Sequence, residues 1–346
     1  MLSRNPLVSV VVPNYNYSRS LPACIRAIQA QDYEPIEIIV VDDCSTDGSA
    51  QIARDLGVRV LSTGVNGGVA VARNTGAAAA RGEVLLFVDS DVAIPPHTVS
   101  RSVRLLAEDP TVGAACGMYE PEPLMGGGLV QECRALQAYH WRMSAEGTVS
   151  FLFSAICAMR TEVFRDVGPF NPRLRQTEEV DYGFRLSQRY RVVLTAQIRG
   201  RHDEDDRLGP LLRKLFHRGR LRIPLYSRMR RFPRGFETAS RAGSSVAALA
   251  AALSLPLVAV VGPAGLALPV ALVALSIYGD RDTYAFVRRR RGTAFLLPYT
   301  GVSLLVNMAI AAGGAAGVLQ ALVSPAFRTL YDEQQTRQPA PIGDLS

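Results

Sequence analysis

Three apolar runs in the first ninety residues stop abruptly in polar side chains, and this pattern restricts the fold more than any other feature of the chain. The runs are LVSVVVPNYN (7–16), IEIIVVDDCSTD (36–47) and EVLLFVDSD (83–91). Short β-branched runs bounded by turn residues read as buried strands. Between them the apolar spacing changes. Leu21, Cys24, Ile25 and Ile28 share one helical face behind Ser20, which predicts a capped helix over 20–31. Helices over 47–57, closed by Gly57, and 69–82, stopped by Gly82, flank a third strand, VRVLST. This β-α-β-α rhythm implies a mostly parallel sheet covered by helices. Ligands of such sheets bind at the carboxyl ends of the strands. There the chain places Asn14 and Asn16, Asp42 and Asp43, and Asp89 and Asp91.

Further along, the pattern predicts a helix over 98–109, a strand from 112, a Gly-rich loop to 128 and a helix over 129–144. An apolar strand over 151–160, short helices from 161 and 177, and a strand ending at His202 follow. After residue 206 the composition shifts. A stretch dense in arginine, LLRKLFHRGRLRIPLYSRMRRFPRGF, leads into SSVAALAAALSLPLVAVV, eighteen residues without a charge. A GPAG turn, a second apolar run and a third, charge-free from Thr293 to Ser324, complete the pattern. Eighteen helical residues reach ~27 Å, close to the ~30 Å of a bilayer core. The expected organisation is an α/β catalytic domain over 1–206 and a basic juxtamembrane segment over 207–243. Transmembrane helices would follow over 244–323 (about 244–261, 264–278 and 294–317), with a polar tail over 324–346. Arginines flanking Ser244 and Thr293 point to cytoplasmic ends. The net charge of +7 is almost all arginine. Placed before a membrane span, this basic run fits an interfacial helix on anionic lipid better than a nucleic-acid surface. The five cysteines form no CxxC or metal-ligand spacing and read as reduced, buried thiols. No secretory h-region precedes the first strand.

Asp89-Ser90-Asp91 carries the first chemical signal. Alternate residues of an extended chain point to the same side, so both carboxylates can face one ion. A hard divalent cation, Mg²⁺ or Mn²⁺, shared with substrate phosphates would compensate the buried charge. VSVVVPNYN, VVDDCSTD, NGGVAVARNTG, LLFVDSD, SAICAMRTEVFRDVGPFNPRL and TEEVDYGFRL occur in that order. Together, over about residues 7–206, they resemble the family 2 glycosyltransferases of the GT-A fold, a Rossmann-like, mostly parallel sheet.

The resemblance implies a nucleotide-diphosphate-sugar donor. Pro13, Tyr15, Asp42 and Asp43 would line its nucleoside pocket, one of the two aspartates binding the base. Arg73 would lie near the nucleotide and its phosphates. Asp89 would approach the ribose or metal, Asp91 would bind the metal, and His202 would sit near the diphosphate or metal. Inverting transfer needs a carboxylate to take the acceptor proton. The family's Glu-Asp is here Glu178-Glu179, so Glu179 aligns with the base and Asp181 is the alternative. Polymerising members carry Gln-x-x-Arg-Trp after the base. The lone tryptophan, Trp141, precedes it, which implies transfer of a single sugar. The membrane helices resemble those of polyprenyl-phosphate sugar synthases. That architecture implies a lipid carrier or lipid-linked glycan as acceptor, and a cytoplasmic catalytic domain on a cell-envelope pathway. Two other readings stand beside this one. One is an inactive membrane scaffold, supported by Glu at the base position. The other is a nucleotidyltransferase, which calls for a Gly-rich basic loop that VVPNYNYSRSLP lacks.

Overall fold

The computed structural model describes residues 2–229, 235 and 237–332. The strands, in chain order, are β1 (Val8–Asn14), β2 (Ile36–Asp42), β3 (Arg59–Ser62), β4 (Val84–Val88), β5 (Val92–Ala93), β6 (Val112–Tyr119), β7 (Gly147–Val149), β8 (Ile156–Arg160) and β9 (Arg191–His202). The helices begin with α1 (Leu21–Gln29), α2 (Ser49–Asp55), α3 (Val69–Ala79), α4 (Thr98–Glu108), α5 (Leu129–Met143), α6 (Thr161–Val167) and α7 (Glu178–Ser187). They continue with α8 (Leu208–Met229), α9 (Ala239–Ser254), α10 (Leu257–Val261), α11 (Ala267–Gly279), α12 (Arg281–Arg291), α13 (Leu296–Val323) and α14 (Pro325–Arg328). A 3-10 turn, Gly262–Leu266, joins α10 to α11. Two compact units divide the described residues. One holds 2–126, 145–203 and Asp332, the other 127–144 and 204–331.

The first unit is the expected α/β layer. Its sheet runs β3-β2-β1-β4-β8-β6-β9-β5, with β7 added to β9. The β1–β2, β1–β4, β2–β3 and β6–β9 pairs are parallel, while β8 runs antiparallel to both β4 and β6. The register sets Asn14 beside Asp42, so the first polar ends lie at one level. Alternate residues of β1 and β4 (Val8, Val10, Val12; Val84, Leu86, Val88) pack with Leu21, Ile25 and Ile28 of α1. Period-2 alternation against a helical face builds this core. The strand expected from Phe151 begins only at Ile156; Phe151, Leu152 and Phe153 are buried without pairing as a strand. β5 and β7, only two and three residues long, have no sequence signal of their own.

The second unit is helical. α5, expected within the catalytic domain, belongs to it: Cys133 and Leu136 pack with Leu211, Val287, Tyr299, Val302 and Val306. α8 and α13 approach closely, and a Cβ at Gly313 would meet the Phe216 carbonyl oxygen at 2.1 Å. Two helical segments, Leu257–Gly279 and Leu296–Val323, are long and apolar enough to cross a bilayer. The charge-free run 244–261 does not form one helix. α9 ends at Ser254, before Leu255 and Pro256, and the chain resumes as α10. Proline lacks the N–H that a continuous helix needs. Within the expected basic segment and tail, residues 230–234, 236 and 333–346 lie outside the described residues.

Candidate active site

The Asp89-Ser90-Asp91 stretch is a tight turn between β4 and β5, closed by Val92 N–H donating to the Asp89 carbonyl (3.0 Å). α1 holds it from below. The Ser20 hydroxyl donates to the Ser90 carbonyl (3.2 Å) and the Cys24 thiol to the Asp89 carbonyl (3.5 Å). Ser20 therefore anchors this turn and makes no side-chain cap on α1, whereas the sequence pattern had suggested a cap. Burial, with Asp91 and Asp89 nearby, pushes the Cys24 thiol well above its ordinary pKa. All five cysteines are free, and four are buried.

A cavity of about 160 Å³ opens at the strand ends. Pro13, Tyr15, Asp43, Asp89 and Asp91, all expected site residues, line it, joined by Asn14, Tyr17, Val69, Ala72 and Ser90. The two neighbouring aspartates differ. Asp42 accepts from the Asn14 amide (3.0 Å) and the Ser45 N–H (3.1 Å) beneath the surface. Asp43 reaches the cavity wall and closes a loop, accepting from the Thr63 hydroxyl (2.7 Å), Gly67 N–H (2.9 Å) and Gly68 N–H (2.7 Å). That loop feeds α3, which carries Arg73.

Arg73 is 2% exposed, and its guanidinium spans the site. Nη2 lies 2.7 Å from Asp89 Oδ1 and Nη1 lies 2.7 Å from Glu178 Oε1. Its two carboxylate partners, and its position over the Phe170 ring at 5.6 Å, offset the cost of burying the cation. Those carboxylates raise the Arg73 pKa against the opposing effect of burial. Burial first, and then Glu179, push the Glu178 carboxyl up to about 8, with Arg73 acting in the opposite direction. Arg73 thus joins the Asp89–Asp91 turn to the first acid of α7, a link the sequence motifs do not reveal.

On the far side of the turn, His202 Nε2 lies 3.4 Å from Asp91 Oδ2. β5–β9 pairing sets His202 opposite Val92, and Tyr119 stacks on the imidazole at 4.2 Å between centroids. The Asp91 carboxylate is a fitting donor for Mn²⁺ or Mg²⁺, and the imidazole beside it favours a transition metal such as Mn²⁺ over Mg²⁺. Among the described residues no group of three or more His, Cys, Asp or Glu makes a ready-made metal cage. Mg²⁺ commonly takes one or two carboxylates and completes its shell with phosphates and water, so Asp91 and His202, with Asp89 in the same turn, fit that use.

Thr177 precedes α7 in a left-handed conformation (φ 69°) and is fully buried. That region is unfavourable for a β-branched residue and recurs at functional sites. Glu179 is half-buried in the first turn of α7, and its carbonyl accepts from Leu152 N–H (3.3 Å). Asp181 is buried and pairs with Arg185 (3.2 Å). Arg185 also donates to the Val167 (3.0 Å) and Pro169 (2.8 Å) carbonyls, which fixes the approach to α7.

Residues 9–168 match the family model described as glycosyl transferase family 2. Glycosyltransferase GlyG of Streptococcus pneumoniae is 30% identical over 199 residues, covering 52% of this chain and 65% of GlyG. The chain therefore spans a little less than two thirds of that relative's length. Glycosyltransferase AglE of Haloferax volcanii is 27% identical over 235 residues, 65% of this chain and 76% of AglE. Among solved structures, the mannosyltransferase PcManGT of Pyrobaculum calidifontis, in complex with GDP-Man and Mn²⁺, aligns with a TM-score of 0.59. It is 20% identical, with 91% of this chain and 88% of that one covered, and shares the fold. The family match ends at residue 168, before Glu178, Glu179 and His202.

Proposed function

We propose that the chain is a family 2 glycosyltransferase, as the match of residues 9–168 to that family model supports, and that it moves one sugar from a nucleotide-diphosphate sugar to a membrane-associated acceptor, with inversion. One observation carries this reading: the acids expected on the donor side are linked through Arg73 to the acids expected on the acceptor side. Asp43, Asp89 and Asp91 line the cavity, and Arg73 ties Asp89 to the acid pair that opens α7.

In this reading Pro13, Tyr15 and Asp43 receive the nucleoside, and Asp42 holds Asn14 and the Ser45 backbone beside them. Asp91 and His202, with Asp89 beside them, hold the divalent ion. When bound, that ion supplies Lewis-acid stabilisation of the departing diphosphate. Glu179 accepts the proton of the acceptor hydroxyl as its oxygen bonds to the anomeric carbon. The bond from that carbon to the diphosphate breaks on the opposite face, and configuration inverts. Asp181, already paired to Arg185, is less suited to that role. Arg73, buried between two carboxylates, shapes the site behind the phosphates.

The two apolar segments support membrane anchoring, and the arginines flanking Ser244 and Thr293 favour a sheet unit in the cytoplasm. The acceptor is then a lipid carrier or lipid-linked glycan. The test is a panel of UDP-, GDP- and dTDP-sugars, measured for Mn²⁺- or Mg²⁺-dependent binding and slow donor hydrolysis. One donor class is expected to bind and hydrolyse only with metal. Absence of binding by every donor at any metal concentration would overturn the reading.

A further inference from the structure

The second unit holds a cavity of its own, about 270 Å³. No residue of the donor cavity lines it. Its walls are of two kinds. Arg134 and Arg142 of α5, Arg218 and Arg222 of α8, and Arg241 of α9 supply guanidiniums. Leu215 and Ile223 of α8 and Ile310 of α13 supply an apolar side. The one carboxylate in the lining, Glu237, is engaged by Arg222 and by the Tyr226 hydroxyl. Asp280, outside the lining, pairs with Arg241 (3.2 Å). Even with both acids counted, positive charge is in excess. Trp141 also lines the cavity, its ring N–H donating to Asp280 (3.0 Å) and the Arg241 guanidinium lying over its face at 5.1 Å.

Several arginines around a small space suit a phosphate, whose oxygens match the guanidinium fork. The apolar wall beside them has no use for a bare inorganic ion but matches a hydrocarbon chain. We infer that this cavity binds the headgroup of an anionic phospholipid, with the phosphodiester on the arginine wall and the first acyl carbons along Leu215, Ile223 and Ile310. The inference rests on the reading that the apolar helices of this unit meet a bilayer. α8, dense in arginine, then has a definite lipid partner.

Trp141 is the only tryptophan of the chain, so its fluorescence reports on this cavity directly. Wild-type protein in neutral detergent is titrated with dioctanoyl phosphatidylglycerol, dioctanoyl phosphatidylcholine or inorganic phosphate. A saturable change with phosphatidylglycerol alone is expected. An equal response to phosphatidylcholine, or to phosphate over the same concentrations, overturns the proposal. So does no response to any of the three. Each arginine near an anionic headgroup is worth roughly a fivefold change in affinity, so Arg134→Gln with Arg218→Gln should weaken binding roughly 30-fold. Arg288→Gln with Arg289→Gln, on the exposed face of α12, should leave it within about twofold of wild type. Equal loss in both pairs points to general surface charge and overturns the assignment. If the cavity variant does not fold, the three wild-type titrations decide alone. Donor binding is followed on the same samples. Its absence with the lipid response intact counts against the transferase reading and leaves the lipid site supported.

Discussion

Asp43 and Asp91 are both strand-end carboxylates, but they serve different ends. Asp43 spends three hydrogen bonds on closing the loop before α3; Asp91 faces His202 across the β5–β9 pair. The acids of α7 divide in the same way. Asp181 is bound into the Arg185 network, and Glu178 into Arg73. Glu179→Gln should therefore keep donor binding while lowering transfer by about 10²-fold or more, the usual worth of a general base. Asp181→Asn should lower the thermal midpoint, at about 1–3 kcal/mol for a weakened buried bond, with donor-saturated turnover changed little. Steady-state kinetics beside thermal melts on both variants separates the cases, and loss of turnover in Asp181→Asn alone would move the base there. Glu178 adds a pH signature. Its carboxyl is raised from 4.5 to about 8 by burial and Glu179, so in that window protonation competes with the Arg73 pair and the folded protein binds more protons than the unfolded chain. Stability then falls as pH rises through that window. Glu178→Gln, always neutral, should flatten the slope of melting temperature against pH from 5 to 8 in metal-free buffer. An unchanged slope would mean that the carboxyl is ionised throughout.

The start of α7 is set by packing as much as by its own residues. Phe170 stacks on Tyr182 at 4.3 Å and meets Phe87 edge-on at 5.6 Å. Gly183 lies so close to the preceding loop that a Cβ would come 2.0 Å from the Leu152 nitrogen. Gly183→Ala must shift α7 or that loop. It is expected to cost about 1–3 kcal/mol, as overpacking does, and to reduce transfer more than donor binding, read by melting and by kinetics. Strands ending in Asn14, Asp42 and Asp89 were legible because apolar periodicity and abrupt polar stops are local signals. The Arg73–Glu178 pair was not, since 105 residues separate its members and neither segment names its partner. The same limit explains α5. Its apolar face was visible, but whether that face meets the sheet or the C-terminal helices depends on tertiary packing.

At the scale of the whole molecule, a sheet unit that gathers polar groups at one edge is joined to a helical unit with two bilayer-length apolar segments. The full chain should sediment with membranes and resist extraction at alkaline pH, whereas release by alkali would leave a peripheral helical unit instead of a spanning one. The most direct test of the central claim is calorimetry of metal-dependent donor binding, using the nucleotide sugar that wild-type protein binds most tightly. Asp91→Ala should retain the circular dichroism of the wild type and lose Mn²⁺-dependent affinity by more than about 100-fold, beyond the loss typical of a residue that merely supports a ligand. Wild-type affinity and metal dependence in Asp91→Ala would contradict the account.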